Sequence, residues 1–301
     1  MQDKLISRKK ECEDLQRCLD SDRSEFVIIS GRRRIGKTYL IDKFFNYKYD
    51  FTFVGEHKTS ATIQIKNFMR ALHRQSKKRQ PKAETWYDAF NALEDYLETL
   101  PSDRKKVIFI DEMPWMDTQR SNFVSALENF WNGWCNRRTD IMLIATGSAT
   151  SWMADKIVGN QGGLHARVTC NLHLPPFNLH ETEEYLRQRN CQWDRYQILQ
   201  CYMILGGVPY YLSLLNMSDS LVQNIDRLFF TEGALLRNEF DELYNALFAN
   251  ADTYISVVKL LSENKSGMLR EDIAKATGLE GAFLSKILKN LEPVSYTHLT
   301  L

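Results

Sequence analysis

Apolar residues follow one another along this chain in two different rhythms. Short continuous runs, EFVIIS at 25–30, FTFVG at 51–55, KVIFID at 106–111 and IMLIAT at 141–146, are rich in β-branched and aromatic residues and read as buried strands. Between them the apolar positions recur at helical spacing: over 5–19, over 37–45, in two stretches between about 60 and 100 divided near QPK at 80–82, over 121–134, and near Ser151. A fifth strand is predicted around 168–174. Strands alternating with helices imply a parallel sheet covered on both faces. From Asn178 the strand rhythm stops and everything to Leu291 reads helical. The pattern predicts an α/β first part, a boundary near Phe177, and a helical second half.

The last eight residues, VSYTHLTL at 294–301, follow an amphipathic helix and have no periodicity of their own. They correspond in order to a translation of the transposon end used in sequencing-library adaptors, so the natural chain is expected to continue past about Pro293.

The candidate chemistry sits where strands end. Directly after the first strand, residues 31–38 read GRRRIGKT. Gly31 and Gly36 let the backbone of Arg32, Arg33, Arg34 and Ile35 wrap a phosphate with its N–H groups turned inward. The helix beginning near Lys37 points its positive end at the same anion. In such a P-loop Lys37 neutralises the β- and γ-phosphates of ATP and the Thr38 hydroxyl ligates Mg²⁺. The 106–111 strand ends in Asp111 followed by Glu112, where ligands of parallel sheets bind. Asp111 can hold the Mg²⁺ through water, and Glu112 can polarise the attacking water. The 141–146 strand delivers Thr146 and Ser148 to the same edge, where a small hydroxyl could orient water or touch the γ-phosphate. Arg167, read as beginning the next strand, either reaches a γ-phosphate in cis or in trans or is a solvated strand-edge arginine.

Composition narrows the picture modestly. With 44% hydrophobic and 26% charged residues and a net charge of +1, the chain has no global bias toward nucleic acid or membrane. It contains no run long and apolar enough for a spanning helix. Cys12, Cys18, Cys135, Cys170, Cys191 and Cys201 are scattered without a CxxC pair, which predicts reduced thiols in a cytoplasmic protein rather than a zinc site.

In their order these motifs resemble the archaeal-type ATPase family, a prokaryotic branch of the AAA+ superfamily related to origin-recognition loaders and STAND ATPases. The stretches that carry the resemblance are LISRKKECEDL (5–15), GRRRIGKTYLI (31–41), VIFIDEMPWM (107–116), ATGSATSWM (145–153), LPPFNLHETEEYL (174–186) and GGVPYYL (206–212). The resemblance implies an AAA+-like P-loop NTPase core at 1–177, a helical lid at 178–235 and a truncated winged helix-turn-helix at 236–293. It also implies an adenine-side box, in which Arg8 and Glu11 match while Ser7 stands in place of the usual Gly, and places Pro209 of the lid near the adenine.

Residues 254–293 fit a helix-turn-helix by themselves. REDIAKATGL supplies a short second helix, and the third buries Leu284, Ile287, Leu288 and Leu291. Its outer face carries Ser285, Lys286, Lys289 and Asn290, but 237–293 holds seven Lys/Arg against nine Asp/Glu, so DNA and a protein partner both stay open. The basic stretch at 66–82 is another candidate for nucleic acid, with a solvated helix face as the simpler reading. Trp115, Trp131, Trp134 and Trp152 read as core or interface residues. The leading expectation is an Mg²⁺-dependent ATPase that moves its lid or winged helix. The alternatives are a slow switch that binds ATP or ADP and a DNA-binding regulator; self-association is a further expectation.

Overall fold

In the computed structural model, which describes residues 5–148, 152–158, 164, 166–248, 250–264 and 266–295, the apolar runs become one sheet. Its strands are β1 (Glu25–Ser30), β2 (Phe51–Val54), β3 (Lys106–Asp111), β4 (Ile141–Gly147) and β5 (Cys170–His173), in the order β2-β3-β4-β1-β5. Every pairing is parallel. Strands β3 and β4 are buried at every residue, as strands covered on both faces must be. Register then aligns the C-terminal edge: Ser30 pairs with Gly147 and His173, Ile110 with Ala145, and Val54 with Asp111.

Helices α1 (Lys9–Asp20) and α2 (Lys37–Phe44) cover one face, around Leu15, Val27, Ile29, Leu40 and Ile144. Helices α3 (Ala61–Ser76), α4 (Trp86–Glu98) and α5 (Phe123–Gly133) cover the other, over a core that includes Phe68, Trp86, Phe90, Phe130 and Trp131. Local signals set the helix starts. Thr85 and Asp88, for example, close a capping box that satisfies two of the free N–H groups at the head of α4. At the N-terminal edge of the sheet, the buried Lys106 ammonium lies 3.0 Å from Asp140. The Arg138 guanidinium first, and then Lys106, hold the Asp140 carboxyl well below the usual carboxylate range.

The chain divides into two compact units between Pro175 and Pro176. Among the described residues of the second unit there are no strands. Its helices are α6 (Leu179–Gln188), α7 (Arg195–Leu205), α8 (Pro209–Ser213), α9 (Leu221–Ile225), α10 (Glu239–Leu247), α11 (Ala251–Glu263), α12 (Arg270–Thr277) and α13 (Gly281–Ser295). They build two separate cores, one from Phe177 to Leu236 and one from Tyr244 to Leu291. In the latter, Ile273 of α12 packs with Leu284, Ile287 and Leu291 of α13.

Several expectations need correction. The last strand is shorter than 168–174, and Arg167 does not begin it: Arg167 lies exposed in the preceding turn, three residues before Cys170. The first helix starts at Lys9, because Ser7 and Arg8 both take positive φ, 57° and 63°. The strand at 51–55 ends at Val54. Val294 and Ser295 continue α13, and 296–301 lie outside the described residues, as does Ser151.

Candidate nucleotide site

The loop after β1 is shaped by close packing beneath it. Gly31 has φ of 146°, and a Cβ there would stand 2.5 Å from the Leu174 carbonyl oxygen and collide with Ile35 Cδ1. Ile35 is buried in the core beside β1, which anchors the loop's far side. Arg33 is exposed, and Arg34 adopts a left-handed φ of 72°. Lys37, at the first turn of α2, is 5% exposed, and its Nζ donates to the carbonyls of Gly31 (3.0 Å) and Arg32 (3.1 Å). Burial pushes its pKa down, the Glu112 and Asp111 carboxylates oppose the shift, and Arg33 adds to it. A cation held in that state gains a great deal from an arriving phosphate.

Strand register brings the acidic pair to this loop. Thr38 Oγ1 donates to Asp111 Oδ2 at 2.8 Å, and Thr146 Oγ1 donates to Asp111 Oδ1. The backbone N–H of Glu112 is held by Thr146 Oγ1 and by Asp111 Oδ1, each at 3.1 Å. Ser148 Oγ donates to Glu112 Oε2 at 2.8 Å. Thus Lys37, Thr38, Asp111, Glu112 and Ser148 come together at one sheet edge. Thr146 proves as central as any of them, since it joins both carboxylate-bearing residues.

Two oxygen groups, Thr38 and Asp111, stand within hydrogen-bond distance of each other beside the phosphate loop. Among the described residues no cluster of three or more His, Cys, Asp or Glu could hold a metal alone. That donor set fits Mg²⁺, which keeps several waters and takes its remaining ligands from substrate phosphates.

Of the other predicted site residues, Arg167 stands at the opposite edge of the sheet. Arg167 precedes β5, so it belongs to the N-terminal edge of the sheet, whereas the loop follows the C-terminal end of β1. Thr169 is beside Phe26, and Phe26 to Ser30 alone spans about 13 Å. Arg167 therefore does not join the phosphate site of its own chain. Pro209 is the first residue of α8, in the second unit. Arg8 is 6% exposed; its guanidinium donates to the Pro175 carbonyl at 2.7 Å and pairs with Glu11 at 3.2 Å. Ser7 takes the positive φ that a glycine would adopt freely, at a cost of about 1–2 kcal/mol.

The supports of Glu112 are not apparent from the motifs alone. This residue has a φ of 49° and opens the turn Met113–Met116. Gly55 leaves room for it: a Cβ there would lie 2.5 Å from the Glu112 carbonyl oxygen. Gln64 of α3 is fully buried; its amide donates to Glu56 O (3.0 Å) and Trp115 O (2.5 Å) and accepts from Glu56 N (3.1 Å). Trp115 N in turn donates to Glu112 O at 3.1 Å, so Gln64 clamps the turn that carries the acid. A polar residue at a core position of an amphipathic helix was the available signal. Gln64→Met, which keeps the bulk and removes the polar atoms, is expected to destabilise the fold by about 1–3 kcal/mol. The same variant should lower kcat more than it weakens ATP binding, as read by denaturant melts alongside steady-state kinetics.

Beyond the site, His57 packs against Trp115 with ring centroids 4.1 Å apart and planes tilted by 54°, and burial, then Lys58 and Arg33, pushes its pKa down. Among the described residues no helix is long and apolar enough to cross a membrane.

A parallel α/β sheet with a phosphate loop after β1, an acidic pair after β3 and a hydroxyl pair around the end of β4 defines a P-loop ATPase fold. Residues 5–215 match the family described as an ATPase domain predominantly from Archaea, and the chain belongs to that family. An uncharacterized protein of Methanocaldococcus jannaschii is 26% identical over 294 residues, 97% of this chain but 61% of that protein's length. An uncharacterized ATP-binding protein of the same organism is 44% identical over 44 residues, 15% of this chain and 75% of its own. Among solved structures, the Walker-type ATPase of Pyrococcus abyssi matches with a TM-score of 0.67 and 17% identity, over 97% of this chain and 90% of that one. The Aeropyrum pernix ORC2 protein, in ADPNP-ADP complexes, matches with a TM-score of 0.60 and 17% identity, over 97% of this chain and 87% of that one. These structural likenesses speak to the fold.

Proposed function

We propose that the protein hydrolyses ATP with Mg²⁺ at this site and couples turnover to movement of the helical lid (178–235) and the winged helix-turn-helix (236–293). The observation that carries the reading is the convergence of Thr38 on Asp111 and of Ser148 on Glu112 around one phosphate loop. Backbone N–H groups of the loop and the Lys37 ammonium bind the β- and γ-phosphates. Thr38 and Asp111 would hold the metal, which would supply neutralisation of the phosphate charge. Glu112 accepts a hydrogen bond from the attacking water and draws off its proton as the water oxygen bonds to the γ-phosphorus and the bond from that phosphorus to the β,γ-bridging oxygen breaks, so that ADP and inorganic phosphate leave. Ser148, released from Glu112, orients that water or the γ-phosphate.

The bond from Ser148 to Glu112 also favours a second reading, a slow nucleotide-gated switch in which the carboxylate is kept occupied. The two readings separate on phosphate release from Mg-ATP. The enzyme reading expects steady turnover, abolished by EDTA, with Ser148→Ala lowering kcat about tenfold to a hundredfold and shifting KM little. Background release unchanged by EDTA or by the substitution would establish the switch instead.

The partners are ATP and ADP, and DNA or a protein through the winged helix. Drosophila ORC has been solved bound to DNA, and its fold likeness, at a TM-score of 0.53 and 12% identity, makes DNA a reasonable partner to test. Arg167, exposed at the far sheet edge, would serve a nucleotide held by a second copy of the chain.

A further inference from the structure

Helix α3 buries one side and charges the other. Ile65, Phe68, Met69 and Leu72 are at most 9% exposed and pack into the core beside β2. Its outward side carries Lys66, Arg70 and Arg74, and the turn that follows adds Lys77, Lys78 and Arg79, all exposed. Residues 61–83 contain seven of the chain's 39 Lys/Arg and none of its 38 Asp/Glu, so the rest of the molecule is net acidic. Among the described residues none of these six cations has an ion-pair partner; only Lys82 does, with Glu84. Lys66, Arg70 and Arg74 repeat every four residues, so they advance about 6 Å per step on one face, and the stripe reaches about 12 Å before Lys77 extends it.

We infer that this stripe is a docking surface for the phosphate backbone of duplex DNA, separate from the helix-turn-helix. A regular line of unpaired cations on a rigid helix complements a regular line of phosphates, and each contact releases a condensed counterion. Lys and Arg on phosphates position without reading sequence, so binding is sequence-independent. The alternatives fit the surface less well. Membrane-surface helices bury a free apolar face in lipid, and the apolar face of α3 is already committed to the core. Single-strand binders stack bases on aromatic side chains, and Phe68, the aromatic residue of α3 apart from His73, is buried.

The test is fluorescence anisotropy of the full chain with a labelled 30-base-pair DNA across a salt series. The comparison variant is Lys66→Ala/Arg70→Ala/Arg74→Ala/Lys77→Ala, with Lys286→Ala/Lys289→Ala as the helix-turn-helix counterpart. Wild type is expected to bind with a log–log salt slope that the quadruple variant makes shallower by about 3–4, at about 0.9 per lost contact. Low-salt affinity should fall at least tenfold, while melting temperature and DNA-free ATP hydrolysis stay unchanged. The inference is overturned if wild type shows no salt-dependent binding, or if the quadruple variant keeps the wild-type slope. Tighter binding to single strands, to duplex RNA or to phosphatidylserine vesicles than to duplex DNA likewise overturns it.

Discussion

Glu112→Gln is expected to lower steady-state phosphate release by about 10²- to 10⁴-fold while leaving ATP affinity within a few-fold of wild type. The amide keeps the size of the acid and can still meet Ser148, so the backbone of the Met113–Met116 turn stays in place. What disappears is a carboxylate able to take a proton from water. The supports of this residue make the comparison clean: its N–H is held by Thr146 and Asp111, and its carbonyl packs over Gly55. None of these contacts involves the side chain that is changed. Equal rates for the two proteins, measured by continuous phosphate detection at saturating Mg-ATP, would remove the catalytic role.

Lys37→Met is expected to have an effect of a different kind, on binding. Nζ sits at the floor of the phosphate loop, 5% exposed, donating to two loop carbonyls. Without nucleotide that buried cation is poorly solvated, so a methionine relieves a desolvation cost while forgoing two hydrogen bonds. These terms oppose each other, and the nucleotide-free melting temperature should change little. The ligand response should change a great deal. For wild type, ATP at a hundred times its Kd adds about 2.7 kcal/mol to stability. The variant loses most of that gain at the same ATP concentration, together with at least a hundredfold in kcat/KM, because a charge-assisted contact to phosphate is absent in ground and transition states alike. Thermal melts with and without Mg-ATP separate this from simple misfolding, which would lower both curves.

The two effects reflect how the site is divided along the chain. The loop and its lysine are continuous in sequence, whereas the acid depends on partners far from it: Thr146 and Ser148 are more than thirty residues away, and Gln64 nearly fifty. Proximity of the loop residues follows from the covalent chain, so GRRRIGKT could be read directly as a phosphate cradle. Asp111 and Ser148 were also legible, because strand ends of a parallel sheet collect at one edge whatever the strand order. The same rule bears on Arg167. A residue before a parallel strand lies at the edge away from the ligand, and only the strand's start at Cys170 makes its distance from the site evident. The helical second half was readable from its rhythm, while its assembly into two separate cores required the packing itself.

By itself, then, the sequence determined the α/β class, the phosphate loop, the acidic pair and the helical character of 178–291, since each depends on local periodicity or on neighbours within a few residues. Tertiary structure alone decided that Thr146 locks both Asp111 and Glu112, that Gln64 and Gly55 shape the turn behind the acid, and that Arg167 stands at the opposite edge. The physical reason is register. Which side chains meet across β3, β4 and the start of α3 depends on how strands slide past one another and how closely backbones approach. Those relations are set by packing of the whole core and leave only faint marks, a buried glutamine or a required glycine, in the linear pattern.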